Sequence, residues 1–233
     1  MEKLNNIFKA DIHYKEYSLS YNKIDGLLSI LFFFFVMIVY YTMGRLYLTK
    51  QLYLGIPFSL MLACICIILV FIRKQKLSSV GITFYRIKNA IIFGGTLGIF
   101  LIFFNNILPG LSSGAQWNKL SIILYNIFYY FIIIGFVEEL IFRGYIQTRL
   151  YGLVNNEIIT TIISAIMFSL MHIPFQMAYA GVGCLAFIQS NFLWLLILVM
   201  WHFVFTFLYK KYNSIFTGTI FHGFMDLGNY LFM

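Results

Sequence analysis

Apolar residues fill this chain in long runs divided by short polar connections. A helix needs roughly 20 apolar residues to cross the hydrocarbon core of a bilayer. Seven runs approach that length: residues 26–43, 52–72, 89–108, 120–141, 158–172, 185–209 and 215–232. The fifth is short, the sixth is long and the last is the least hydrophobic. The pattern predicts an all-α, polytopic membrane protein of about seven transmembrane helices. Residues 1–25 read as a cytoplasmic or interfacial tail, and 26–233 as a single transmembrane helical domain. In the tail, Leu4, Ile7, Phe8 and Ile12 recur at helical spacing, which suits a helix on the membrane surface and equally an unstructured segment. In the third run, Gly94 and Gly98 form a G-x-x-x-G pattern that favours close helix packing.

Positive charge sets the expected orientation. Lys3, Lys9, Lys15 and Lys23 precede the first run, and Arg73, Lys74, Lys76, Arg86 and Lys88 follow the second. Arg143 and Arg149 follow the fourth, and Lys210 and Lys211 follow the sixth. Those thirteen fall on one side, whereas only Arg45, Lys50 and Lys119 fall on the other. Basic connections stay cytoplasmic, so the N-terminus is expected inside.

Composition supports this class and excludes others. Charged residues are 10% of the chain and hydrophobic residues 61%, against about 25% charged in soluble domains. So few charges cannot solvate the surface of a soluble particle, nor does the apolar content suit a disordered chain. The net charge of +8 does not point to nucleic acid, because the basic residues flank apolar runs and form no basic face. Cys64 and Cys66 lie within an apolar run and Cys184 stands alone, which fits bland buried thiols.

Candidate chemistry lies in the later runs. Glu138, Glu139 and Asp226 sit in or against apolar helices, as do His172, His202 and His222. One charge at the bilayer centre costs roughly 2.5–3.5 kcal/mol on insertion scales. Several in one chain need mutual partners or a water-filled cavity. Glu139 and Arg143 are four apart and can pair on one helix face. Glu138 is rotated about 100° from Glu139, which leaves it free to face a cavity. Phe168 and His172 are also four apart, as are His222 and Asp226. His172 is expected near a helix C-terminus, with Pro174 just beyond. Such a set of carboxylates and imidazoles can activate water as a general base. It could instead hold one divalent metal, such as zinc, through Glu138, His172 and His222. Either chemistry suits peptide-bond hydrolysis.

These motifs, in this order, resemble the CAAX protease and bacteriocin-processing (CPBP, or Abi) family of intramembrane endopeptidases. They read EELIFR at 138–143, FSLMH at 168–172 and HGFMD at 222–226. The resemblance covers about residues 120–226, with a weaker echo in LSSVGI at 77–82. It implies Glu138 as general base on water, assisted by His172. His222 and Asp226 would orient substrate or stabilise the oxyanion, and Glu139 and Arg143 would support them structurally, with Phe168 in the same supporting layer. The family is often labelled metalloprotease, and a metal-independent, glutamate-driven mechanism is also argued for it. Position 226 is Asp where Asn is frequent. Ionised Asp cannot donate to an oxyanion, so Asp226 would have to be protonated, bind metal or only orient His222. His202 stands where the family often has a small residue, and an interhelical hydrogen bond or packing beside Trp201 is expected of it rather than a ligand role.

The expected partners are a peptide or membrane-protein substrate and membrane lipid, with no nucleic acid. The abundance of Ile, Phe, Lys, Asn and Tyr suggests a bacterial plasma membrane. The alternative reading is a non-proteolytic bacteriocin-immunity or scaffold membrane protein on the same fold. A proton-coupled carrier also uses intramembrane Glu and His, but inverted repeats are missing here. One difficulty stands out. Glu138 lies late in an inward-running helix and His172 late in an outward-running one, which separates them in depth by more than about 10 Å. They meet only if the fourth helix continues past Arg149 or the fifth begins above the bilayer.

Overall fold

A computed structural model describes residues 9–233. Leu4, Ile7 and Phe8 of the expected surface helix lie outside the described residues. From Asp11 onward the tail is a helix, α1 (Ile12–Ser20), with the Asp11 side chain accepting from the His13 amide at its start. It docks on the bundle. The Asp11 amide donates to the Lys210 carbonyl at 2.8 Å, Tyr14 is buried, and the Tyr17 hydroxyl bonds Ser78 Oγ at 2.7 Å.

Among the described residues, six helices are long and apolar enough to cross a membrane. They are α2 (Lys23–Lys50), α3 (Gly55–Ile72), α4 (Ile87–Ser112), α5 (Leu120–Leu150), α6 (Glu157–Ala180) and, after a short α7 (Cys184–Ser190), α8 (Phe192–Tyr212). The seventh expected span is α9 (Ile215–Leu227), of 13 residues. That is about 20 Å of helix, short of the roughly 30 Å hydrocarbon core. Beyond Leu227 the chain makes a tight turn at Gly228–Tyr230. Its last residues then pair with the approach to α5: Asn118 N donates to Leu231 O, and Met233 N to Gln116 O.

Three expected helix ends are corrected. The fourth run continues to Leu150 rather than 141, because the polar groups after 141 are buried with partners. The fifth continues through Pro174 to Ala180 rather than stopping at 172. A proline is tolerated there because it removes a single helical hydrogen bond among packed neighbours. The sixth is not continuous, since the helix breaks at Asn191 between α7 and α8.

α9 packs along α4 and against the middle of α5, while α6 packs against α2 and α8. The glycines at 94 and 98 permit the first of these contacts. A Cβ at Gly94 would fall on the Thr217 carbonyl and one at Gly98 on the Phe224 ring. The helices are apolar outside as well as inside, with Leu31, Phe34, Ile38, Phe71 and Leu193 exposed. A lipid-facing surface accounts for that.

The basic connections meet at one end of the bundle. There Arg149 is fully buried rather than a loop charge. Its guanidinium donates to the Ser79 carbonyl (3.0 Å), Ser79 Oγ (2.8 Å), the Gly144 carbonyl (2.8 Å) and Gln75 Oε1 (2.7 Å). It thereby ties the turn Leu77–Val80 to the end of α5. Asp25 takes Arg73 at 2.8 Å and Gln75 at 2.9 Å beside it. That hydrogen bond and the Asp25 charge raise the Arg73 pKa further, so Arg73 stays charged.

Replacing Arg149 by Ala would orphan several buried acceptors, each worth about 1–3 kcal/mol. Arg149→Ala is expected to lower the thermal midpoint in detergent, with a loss of about 3–5 kcal/mol. Lys15→Ala, at an exposed position, should change stability by less than about 0.5 kcal/mol. Equal melting of the two variants would contradict the anchoring role.

Candidate active site

The expected depth mismatch is resolved by the longer helices. Glu138 lies twelve residues before the end of α5 and His172 fifteen residues after the start of α6. Counted from the basic end, both sit about 18–23 Å in. His222 and Asp226 enter from the same end on α9. The four side chains line one cavity of about 460 Å³. Widened helical turns at Tyr129–Phe136 and Glu139–Gln147 flank Glu138 on α5, and such turns recur at functional sites.

Glu139 and Arg143 form the predicted pair, at 2.9 Å with both side chains fully buried. The Arg143 guanidinium is held between two rings, 4.2 Å from the centre of Phe168 and 4.7 Å from that of Phe205. This is the place of Phe168: it stacks on the cation, while its carbonyl binds His172. Gly218 on α9 lets the backbone close over the Glu139 carboxylate, because a Cβ there would overlap that group. Arg143 is therefore not a connection charge. With Arg149 it leaves the thirteen assigned to loops, and the contrast with the three opposite persists.

Glu139 also reaches the third motif. Its Oε1 is 3.7 Å from His222 Nδ1, and His222 Nε2 is 3.4 Å from Asp226 Oδ2. Both imidazole nitrogens face carboxylate oxygens, which only accept. Asp226 points its carboxylate at His222, the arrangement expected of an orienting group. His172 is held differently. Its Nδ1 lies 2.9 Å from the Phe168 carbonyl. A carbonyl only accepts, so Nδ1 carries the hydrogen and the lone pair is on Nε2. The C-terminal position expected for His172 is not found: it lies eight residues before the end of α6, beyond the reach of the terminal dipole.

His202 makes interhelical hydrogen bonds. It is fully buried, with Nε2 3.0 Å from Ser164 Oγ and 3.1 Å from Gln147 Oε1. Thr206 donates to the same Gln147 oxygen at 2.9 Å. Together these side chains join α5, α6 and α8 behind the cavity.

Among the described residues, no group of three His, Cys, Asp or Glu side chains is placed to hold an ion. His222 is flanked by Glu139 and Asp226 rather than by Glu138 and His172.

The sequence reading missed the aromatic walls of the cavity. Tyr129, Tyr130, Trp194 and Trp201 line it, and Asn229 stands at its edge. Trp194 meets His172 edge-on at 5.7 Å between ring centres. No spacing rule separates these aromatics from the many others in the chain.

Residues 118–228 match the family model described as type II CAAX prenyl endopeptidase Rce1-like. That is a little under half of the chain, and over it the protein is similar to the CAAX protease family. The match begins just before α5 and ends just after Asp226, so it contains Glu138, His172, His222 and Asp226. No curated protein and no solved structure gives a significant match to the chain.

In a cysteine-free variant, cysteines at 138 and 172 should be joined by a short bifunctional thiol reagent. Cysteines at 138 and 158 should not, since 158 lies fourteen residues, or about 21 Å, along α6 from 172. Cross-linking is read by peptide mass spectrometry. Equal yields for the two pairs would refute the shared cavity.

Proposed function

We propose that the protein is an intramembrane endopeptidase that hydrolyses a peptide bond in a small membrane-associated or secreted peptide. The observation that carries this reading is the convergence of Glu138, His172, His222 and Asp226 on one cavity within apolar helices. The Rce1-like match over the same residues supports a CAAX-type protease core.

The chemistry follows from the hydrogen-bonding roles. Glu138, beside the paired Glu139, takes a proton from water, and the oxygen attacks the scissile carbonyl. The Nε2 lone pair of His172 orients that water. The His222 Nε2–H, which faces Asp226 Oδ2 at 3.4 Å before substrate binds, turns to the developing oxyanion, while Nδ1 stays against Glu139. Asp226 holds that N–H in place until the oxyanion forms. The proton collected by Glu138 then passes to the leaving nitrogen, the C–N bond breaks, and a carboxylate and an amine are released. The aromatic walls suit an apolar segment of substrate entering from lipid. The composition suits a bacterial plasma membrane, where the substrate would be a peptide precursor such as a pheromone or bacteriocin.

The test compares membrane-fraction and secreted peptides by mass spectrometry in cells making the wild type or Glu138→Ala at matched levels. At least one new peptide terminus should fall by about 100-fold or more in the variant. Identical peptide profiles with the variant still functional would instead favour a non-proteolytic immunity or scaffold role.

A further inference from the structure

Glu138 and His172 border a second cavity, of about 170 Å³, on their side facing α2 and α3. Its wall carries three polar side chains from three helices: Tyr40 on α2, Ser59 on α3 and Gln176 on α6. None of them makes a hydrogen bond to another described residue. Ser59 stands out, because the residue is only 6% exposed. The buried helical serines Ser18 and Ser29 satisfy themselves by donating to their own helix, and Ser59 does not. Gln176 is one turn beyond His172 and shares its face. Buried polar groups in folded proteins have partners, and where protein supplies none, water does. A water needs only about 10–15 Å³ of such space, so this cavity has room for several.

The two cavities share Ile134, Glu138 and His172 on their walls. Tyr53, lining the second, bonds Tyr129, lining the first, at 2.5 Å between hydroxyls. Burial raises the Tyr53 pKa, so this hydroxyl remains protonated and can donate. A peptide filling the larger, aromatic cavity would strip water from that side of Glu138. The second cavity reaches the same carboxylate without passing the peptide.

We propose that the cavity between α2, α3 and α6 is a water store, in which Ser59, Gln176 and Tyr40 position the hydrolytic water that Glu138 activates. This proposal rests on the hydrolase reading. The three residues are positioning residues, and the reacting atoms stay with Glu138, His172 and His222.

The test has two arms. In a cysteine-free protein, Ser59→Cys is exposed to a small, water-soluble methanethiosulfonate, beside Leu62→Cys in the dry core of the same helix. Ser59→Cys should react at least about tenfold faster. In the second arm, kinetics are measured on the peptide whose new terminus depends on Glu138. Ser59→Val and Gln176→Leu should each lower kcat about tenfold with KM within twofold, and Ser59→Thr should recover most of the loss. Elution of each variant at the wild-type position in size exclusion confirms folding. A thiol at 59 as unreactive as one at 62 overturns the proposal, whether or not the protein is a hydrolase. A reactive thiol with kcat unchanged in Ser59→Val overturns the supply role. A reactive thiol in a protein whose wild type cleaves nothing overturns the hydrolase reading, and the supply role with it.

Discussion

The site depends on one fully desolvated ion pair. Glu139 and Arg143 meet at 2.9 Å with no exposure to solvent or lipid. Either charge alone in that place would cost several kcal/mol, and removing one partner of a buried pair typically costs about 3–5 kcal/mol. Each charge therefore constrains the other, and both constrain what surrounds them. Arg143 requires the rings of Phe168 on α6 and Phe205 on α8. Glu139 requires the close approach of α9 at Gly218 and reaches His222. A single pair thus gathers α5, α6, α8 and α9 around one point. Glu138, next in sequence but turned away, is left facing the cavity.

This arrangement divides labour between adjacent carboxylates. Glu139 is spent on structure, and its neighbour is available for chemistry. The two histidines are likewise held in different ways. His172 has its Nδ1 fixed by a backbone carbonyl and keeps a free lone pair, which suits handling water. His222 has acceptors at both nitrogens, which suits donation. Asp226 lies 3.4 Å from His222 Nε2, where a carboxylate can orient the imidazole.

The helical membrane architecture and the three motifs were legible because both depend on local spacing. Apolar run length gave the spans, and i, i+4 pairs gave the faces. The failures share a cause, which is partnership across long sequence separations. Residues 142–150 read as a connection because they include Arg143 and Arg149, with the polar Gln147 between them. The structure buries all three, with Glu139, with His202 and Thr206, and with Gln75 and Ser79. Most of those partners are more than fifty residues away. Pro174 looked like a helix end because its local preference opposes continuation, and packing overrides it. The aromatic cavity walls were hidden by abundance. The second cavity was hidden because Tyr40, Ser59 and Gln176 are unremarkable until they face the same space.

The most direct test of the central claim is a double-mutant cycle on the buried pair, read as unfolding free energy in detergent. The variants are Glu139→Gln, Arg143→Met and the two combined. The account predicts that each single change is strongly destabilising and that the pair is not additive. The double variant should recover at least about 2 kcal/mol relative to the sum. Additive losses, or single variants as stable as the wild type, would contradict it.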